Sequence, residues 1–147
     1  MRELPASVLG YGPILRTNAA PLPRREKCLP DLAAAIAATG LRDGATVSFH
    51  HHLRNGDAVL NMVTDALAAA GLKDLTLEVT SLFPVHAPLI DHIRNGVIGR
   101  IATSYMSGPV AEAISRGLLK LPVILRSHGG RARALEQGEV RLDVAFV

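Results

Sequence analysis

The sequence predicts an α/β fold in which helices cover both faces of a mostly parallel sheet. Apolar runs of strand length alternate with segments whose apolar residues recur every three or four positions. The composition agrees, because 48% of the residues are hydrophobic and only 3% are aromatic, a mixture typical of helices packed on a buried parallel sheet. Strands separated by helices pair in parallel through right-handed crossovers, which places helices on both faces.

The predicted elements follow an N-terminal arm. Residues 1–27 carry five Lys or Arg against two Glu, and four prolines interrupt them, so we predict an extended basic arm rather than a helix. Residues 28–147 form the predicted α/β domain. Helices are expected at 30–39, 58–70, 87–94, 108–116 and 131–137, and strands at 45–49, 75–79, 97–103, 123–126 and 143–147.

The turn after the first strand carries the strongest functional signal. Imidazole and guanidinium donors are crowded there, and an Asn-Gly pair permits close approach of the backbone. The following helix would direct its free N–H groups at the same place, which favours an anionic ligand. Asp57 is equally well explained as the cap of that helix. The candidate binding residues of this turn are His50, His51, His52, Arg54, Asn55 and Gly56.

A second candidate turn follows the fourth strand. It contains His128, Gly129 and Gly130, flanked by Arg126 and Arg131. Backbone amides of a Gly-Gly turn can surround a phosphate or carboxylate, although the spacing matches neither a P-loop nor a dinucleotide-binding fingerprint. In a parallel sheet both turns lie at the same edge, so we expect them to face one ligand.

Other polar residues support weaker alternatives. His50 and His52 would share a face of an extended segment, but a catalytic zinc site needs a further protein ligand, so we assign no metal. His86 is placed to join the site, whereas His92 is expected on a helix surface. Candidates for further polar contacts are Ser48, Ser81, Ser104 and Ser107, none of which lies in a Gly-x-Ser-x-Gly elbow.

The chain gives little sign of nucleic-acid or membrane binding. Prolines interrupt the basic arm, and no uninterrupted apolar run is long enough to cross a bilayer. The single Cys28 excludes an internal disulfide, so we expect a cytoplasmic protein.

Four segments together resemble the α subunit of bacterial citrate lyase. They are Leu-Arg-Asp-Gly at 41–44, Ser-Phe-His-His-His-Leu-Arg-Asn-Gly-Asp at 48–57, Val-His-Ala-Pro-Leu-Ile at 85–90 and Ser-His-Gly-Gly-Arg-Ala-Arg-Ala at 127–134. The resemblance implies the first half of a class I CoA-transferase-like fold, built from two related α/β halves. The chain would then be the front portion of a longer subunit and incomplete at its C-terminus, where it ends in an apolar strand.

The resemblance also implies an activity and its partners. Such a subunit is a citrate CoA-transferase. It exchanges acetyl for citryl on the phosphoribosyl-dephospho-CoA arm of a γ acyl carrier subunit, before a β subunit cleaves the citryl thioester to oxaloacetate and acetyl thioester. Citrate and acetate are the small-molecule substrates, and no cofactor is expected on this chain itself.

The family's nucleophile is a glutamate in the second half of the fold, so we assign no catalytic residue to this chain. Glu78 lies within a predicted strand, and the remaining glutamates fall in the arm or on expected helix and loop surfaces. We expect residues 50–52 and Arg54 to bind carboxylate or to polarise the thioester carbonyl, with residues 128–130 as the opposing wall. On this basis the chain alone would be inactive.

Without the resemblance, the residues support only an α/β domain that binds a small anionic metabolite or nucleotide without catalysis. This non-catalytic domain is the alternative function. A metal-dependent hydrolase that uses the histidines is a third possibility.

Overall fold

The structure is a computed structural model that describes residues 28–50 and 54–147. The predicted arm at 1–27 and the candidate ligands His51 and His52 lie outside these residues, so the division into arm and domain stays a prediction. The described residues form an α/β fold around one five-stranded sheet.

All five strands of the sheet are parallel, in the order β4-β3-β2-β1-β5. The predicted α/β class is therefore confirmed, and the sheet is wholly parallel rather than mostly parallel. The strands are β1 (Thr46–Phe49), β2 (Leu75–Val79), β3 (Ile98–Thr103), β4 (Ile124–Leu125) and β5 (Val144–Phe146). Five helices alternate with them, α1 (Leu32–Thr39), α2 (Val59–Ala69), α3 (Leu89–Arg94), α4 (Gly108–Ser115) and α5 (His128–Glu136).

The main hydrophobic core lies on one face of the sheet. Val47, Leu77 and Ile101 are neighbours across the three central strands and are buried. The helices α2, α3 and α4 contribute further buried apolar side chains to the same core cluster, among them Leu60, Val63, Leu67, Leu89, Ile93 and Val110. Side chains alternate between the two faces along a strand, so the residues adjacent to Val47, Leu77 and Ile101 in each strand point to the other face.

The second face carries polar groups at its centre. Ser48, Glu78 and Ala102 are neighbours across β1, β2 and β3, one residue beyond the core positions in each strand. Arg131 of α5 contacts both Ser48 and Glu78, so α5 lies on this face. The prediction of helices on both faces is thereby confirmed.

The start of α5 differs from the prediction. The helix begins at His128 rather than Arg131, so Gly129 and Gly130 lie in its first turn and not in a loop. The reason is Ser127, whose side-chain oxygen accepts a hydrogen bond from the Gly130 N–H at 3.0 Å and caps the helix.

Two turns of 3-10 helix, at Arg54–Gly56 and Pro84–His86, follow β1 and β2. The second turn also sets the position of α4. Gly108, at the start of α4, has a positive φ of 71°, and a Cβ at this residue would lie 2.8 Å from Pro84. Only glycine meets both requirements without strain. In the part of the chain that the structure describes, no helix is both long and apolar enough to span a membrane.

Replacement of Leu77 by Ala tests the assigned core. Leu77 is fully buried in the middle of β2, so the variant should lose about 2–5 kcal/mol of unfolding free energy through lost burial and a residual cavity. Urea denaturation followed by circular dichroism measures this change. Leu125→Ala is the matched control, because Leu125 is 66% exposed on the edge strand β4. Equal losses in the two variants would contradict the assignment.

Candidate anion-binding site

A cleft of about 490 Å³ lies at the C-terminal edge of the sheet. Its lining residues come from the turns after β1, β2 and β3 and from the start of α5, and they are His50, Arg54, Thr80, Ser81, Phe83, Tyr105 and His128. Three residues that the sequence placed in two separate turns, His50, Arg54 and His128, therefore share one cavity. This is the edge at which parallel α/β sheets bind ligands.

The first wall of the cleft is the turn after β1. His50 follows the last residue of β1 directly and is exposed, and its N–H donates to the Phe146 carbonyl of β5 at 3.4 Å. Arg54 has a positive φ of 51°, which is uncommon for a residue with a side chain. Such backbone strain concentrates at binding sites, where the surrounding structure holds the residue in place. At the end of the turn, the Asp57 carboxylate accepts a hydrogen bond at 2.8 Å from the N–H of Val59, the first residue of α2.

The turns after β1 and β2 are joined by hydrogen bonds around Val85. The Asn55 side-chain oxygen accepts from the Val85 N–H at 3.0 Å, and the Asn61 side-chain amide donates to the Val85 carbonyl at 2.9 Å. Asn55 thus holds the turns after β1 and β2 together. A direct contact of Asn55 with a ligand stays a prediction, as does one of Gly56, which lies in the same turn and is exposed.

His86 does not line this cleft. Its side chain is fully buried, and its Nδ1 atom accepts a hydrogen bond from the Phe83 N–H at 3.0 Å. The ring therefore stabilises the turn that presents Phe83 to the cavity. His92, which was expected on a helix surface, is half-buried on α3 and lies 2.7 Å from an exposed Asp65 carboxylate oxygen of α2. It is not among the residues that line the cleft.

The start of α5 forms the opposite wall. His128 lines the cleft directly, whereas the Gly130 N–H is already bonded to Ser127. The Gly129–Gly130 backbone therefore does not form the open loop that the sequence suggested. What this segment offers a ligand is the positive end of a helix, and a direct contact of Gly129 or Gly130 with a ligand stays a prediction.

Four of the residues that line the cleft were not predicted from the sequence to lie together in one site. Thr80, Ser81, Phe83 and Tyr105 come from the exits of β2 and β3, and of these only Ser81 was a candidate for a polar contact. Three of them carry hydroxyl groups, and the Phe83 and Tyr105 rings lie 5.6 Å apart between centroids. The feature of the sequence that could have identified them is their position in the loops that follow the predicted strands.

A buried charge cluster lies on the second face of the sheet and was also missed. Glu78 is 2% exposed; its Oε1 atom is 3.3 Å from Arg131 Nε, and its Oε2 atom is 3.7 Å from Arg126 Nη1. Arg131 Nη2 also donates to the Ser48 hydroxyl at 2.7 Å. Removal of one partner from such a buried cluster typically costs about 3–5 kcal/mol, because an unpaired charge remains buried.

The described residues contain no group of three or more His, Cys, Asp or Glu side chains placed to hold a metal ion. The chemistry of the described cleft is instead that of cationic and hydroxyl donors. Imidazole and guanidinium groups donate hydrogen bonds to carboxylates and phosphates, and Arg does so through two parallel bonds.

The model of the family "citrate lyase, alpha subunit (CitF)" matches residues 25–147. The chain belongs to the citrate lyase α subunit family. It is 53% identical over 124 residues to the citrate lyase alpha chain of Escherichia coli K12, and 50% identical over 121 residues to that of Haemophilus influenzae Rd. These matches cover 84% and 82% of this chain, and 24% of each relative.

A solved structure agrees with the family assignment. A crystal structure assigned as the α subunit of citrate lyase from Streptococcus mutans, in complex with citrate, superposes with a TM-score of 0.82 at 50% identity. The match covers 84% of this chain and 24% of that one. The chain therefore spans about a quarter of the length of the citrate lyase α subunits that it matches.

Asn55→Ala tests the link between the turns after β1 and β2. Loss of the acceptor for the Val85 N–H should weaken local protection by about 0.5–1.5 kcal/mol, so this amide should exchange several times faster. Hydrogen exchange followed by NMR measures the rate. Asn55→Asp keeps a side-chain oxygen and should retain most of the protection. Unchanged Val85 exchange in the Ala variant would show that the bond does not hold the turns together.

Proposed function

We propose that the chain contributes the first part of a citrate CoA-transferase, the α component of an ATP-independent citrate lyase. In this reaction citrate replaces acetate on the thioester of an acyl carrier protein, so that acetyl thioester and citrate give citryl thioester and acetate. The citryl thioester is then cleaved to oxaloacetate and acetyl thioester. Membership of the citrate lyase α subunit family supports this proposal.

The observation that carries the proposal is the convergence of His50, Arg54 and His128 on one cleft. Citrate brings up to three carboxylates and one hydroxyl group. Arg54 can bind a carboxylate through two parallel hydrogen bonds, and the imidazoles of His50 and His128 can donate to others. The positive N-terminal end of α5 favours negative charge at the same wall. The relative from Streptococcus mutans was solved in complex with citrate, which supports the choice of ligand.

The hydroxyl groups of Thr80, Ser81 and Tyr105 complete the proposed donor set. Hydroxyl groups both donate and accept, so they suit the citrate hydroxyl and the thioester carbonyl equally. We propose that one donor of the cleft polarises this carbonyl while charge develops on its oxygen. Preorganised donors of this kind stabilise the transition state more than the ground state.

We propose that the nucleophile is a glutamate outside this chain. Among the described residues that line the cleft there is no carboxylate. Glu78, on the strand β2 that leads to the cleft, is buried and paired with two arginines, which does not suit a nucleophile that must reach a thioester. The described residues would then bind and orient citrate, and the covalent steps would occur on the remainder of the subunit.

The proposed partners follow from the same reaction. They are a γ acyl carrier subunit, which bears the phosphoribosyl-dephospho-CoA group, and a β subunit, which cleaves the citryl thioester. The phosphates of the carrier arm are anions that cationic turns can also bind. We propose a cytoplasmic location, as expected for a chain with a single cysteine.

The second candidate function is non-catalytic binding of a small anionic metabolite. The absence of a carboxylate from the described lining of the cleft favours it, because binding requires donors only. The two functions differ in one observable property, which is acyl exchange with a carrier-protein thioester.

Arg54→Ala tests the proposed carboxylate contact. Loss of a charge-assisted hydrogen-bond pair should remove about 1.5–3 kcal/mol, which corresponds to roughly 10- to 150-fold weaker citrate binding. Isothermal titration calorimetry with citrate measures the affinity. Arg116→Ala is the matched control, because Arg116 is exposed on α4 and pairs only loosely with Glu112 at 3.9 Å. Citrate affinity that is the same in both variants would remove Arg54 from the site.

Acyl exchange in the complete α subunit tests the catalytic proposal. Radiolabelled acetyl groups on the carrier protein should be released as acetate when citrate is added. A variant with His50, Arg54 and His128 all replaced by Ala should lose this release by orders of magnitude, because carboxylate binding and carbonyl polarisation are both removed. Citrate binding without any acetate release in the wild-type subunit would support the non-catalytic alternative.

A further inference from the structure

The buried charge cluster of Ser48, Glu78, Arg126 and Arg131 connects the elements that supply the cleft. Ser48 and Glu78 are the penultimate residues of β1 and β2, and the cleft residues His50 and Thr80 immediately follow these strands. Arg126 and Arg131 flank His128 on either side. An extended chain rises about 3.3 Å per residue, so Ser48 and Glu78 each lie about 7 Å along the chain from a residue that lines the cleft.

The cluster makes an unusual attachment for a helix. Among the described residues, the 2.7 Å hydrogen bond from Arg131 to Ser48 is the shortest polar contact between α5 and the central strands. Of the α5 side chains, only Ala134 is fully buried, so apolar packing fixes this helix weakly. The position of α5 over β1 and β2 therefore depends on the ion pairs of Glu78 with Arg126 and Arg131.

The arrangement of charges around Glu78 restrains α5 in more than one direction. One carboxylate faces two guanidinium groups, one on each side of the start of α5. The Arg126 backbone N–H is also bonded to the Thr103 carbonyl of β3 at 3.0 Å, which anchors the segment that leads into the helix. With one arginine before His128 and one after it, Glu78 restrains both the origin and the rotation of the helix that presents His128.

We infer that Glu78 is a positioning residue for the anion site, acting through Arg126 and Arg131 to hold His128 opposite His50. The inference rests on the proposed function for its citrate readout, although its structural readout is independent of any ligand. Glu78 itself does not contact the substrate. Its effect is to fix the distance between the two walls, so that a carboxylate can be bound from both sides at once.

Glu78→Gln is the decisive variant, and Glu112→Gln is its matched control. Gln keeps the size of the side chain and removes the charge, whereas the Glu112 pair is exposed on α4. The ring signals of His50 and His128 are followed by NMR in the protein labelled with ¹³C-histidine. In Glu78→Gln these two signals should shift or broaden, and the His92 signal, from the other face, should not. Glu112→Gln should change none of them.

Citrate affinity supplies the functional readout. Glu78→Gln should weaken citrate binding at least tenfold at a temperature where the variant is folded, and Glu112→Gln should leave it unchanged. If the cluster only stabilises the fold, Glu78→Gln will lower the melting temperature while the ring signals and the citrate affinity of the folded protein stay at wild-type values. That outcome overturns the inference.

If Glu78→Gln does not fold, Ser48→Ala tests the positioning role instead. This variant removes a single hydrogen bond to Arg131 and no charge. A smaller shift of the His128 signal in the same direction supports the positioning role, and an unchanged signal contradicts it. If the wild-type protein binds no citrate, the proposed function fails, and the histidine signals alone then decide the role of Glu78.

Discussion

The parallel register of β1, β2 and β3 is the constraint on which the rest of the molecule depends. Val47, Leu77 and Ile101 are aligned across the sheet, and the next residue of each strand is aligned on the opposite face. The same register makes β1, β2 and β3 end together, after Phe49, Val79 and Thr103. Residues distant in sequence therefore leave the sheet side by side, which is why a cleft forms at this edge.

The two faces of the sheet are stabilised by different physical effects. The first face is covered by α2, α3 and α4 with apolar side chains, whose burial is favourable whatever their exact orientation. The second face joins α5 through Glu78, Arg126 and Arg131, whose attraction depends strongly on distance and geometry. Apolar packing thus holds the scaffold, and directional contacts hold the element that faces the ligand.

The polar side chains of the turns around the cleft also divide into two groups, those that hold the backbone and those that face the cavity. Asn55 and Asn61 bind the Val85 backbone, and His86 binds that of Phe83, so these side chains hold the loops in place. The side chains that remain directed at the cavity are His50, Arg54 and His128, with hydroxyl groups between them. The cleft of this member of the citrate lyase α subunit family is thus lined by hydrogen-bond donors, and the chain spans about a quarter of the length of its relatives.

The sequence by itself determined the class of the fold and the order of its elements. Apolar periodicity and Gly or Pro at the element ends are local properties, so β2 was predicted at its observed bounds and α1 and α4 within about two residues. The local motif at 127–134 also indicated a functional turn, although the Ser127 cap extended α5 through the glycines. His50, Arg54 and His128 were predicted for the same reason, as donors at strand exits.

Only the tertiary structure decided which side chains meet. Glu78 is one more residue of a strand in the sequence, and its pairing with Arg126 and Arg131 exists because β2 lies under α5. The contribution of Thr80 and Tyr105 to the cleft likewise depends on neighbouring strands ending at one edge. Periodicity reports which face of an element is buried, whereas contacts between elements depend on strand order and register, which no local pattern encodes.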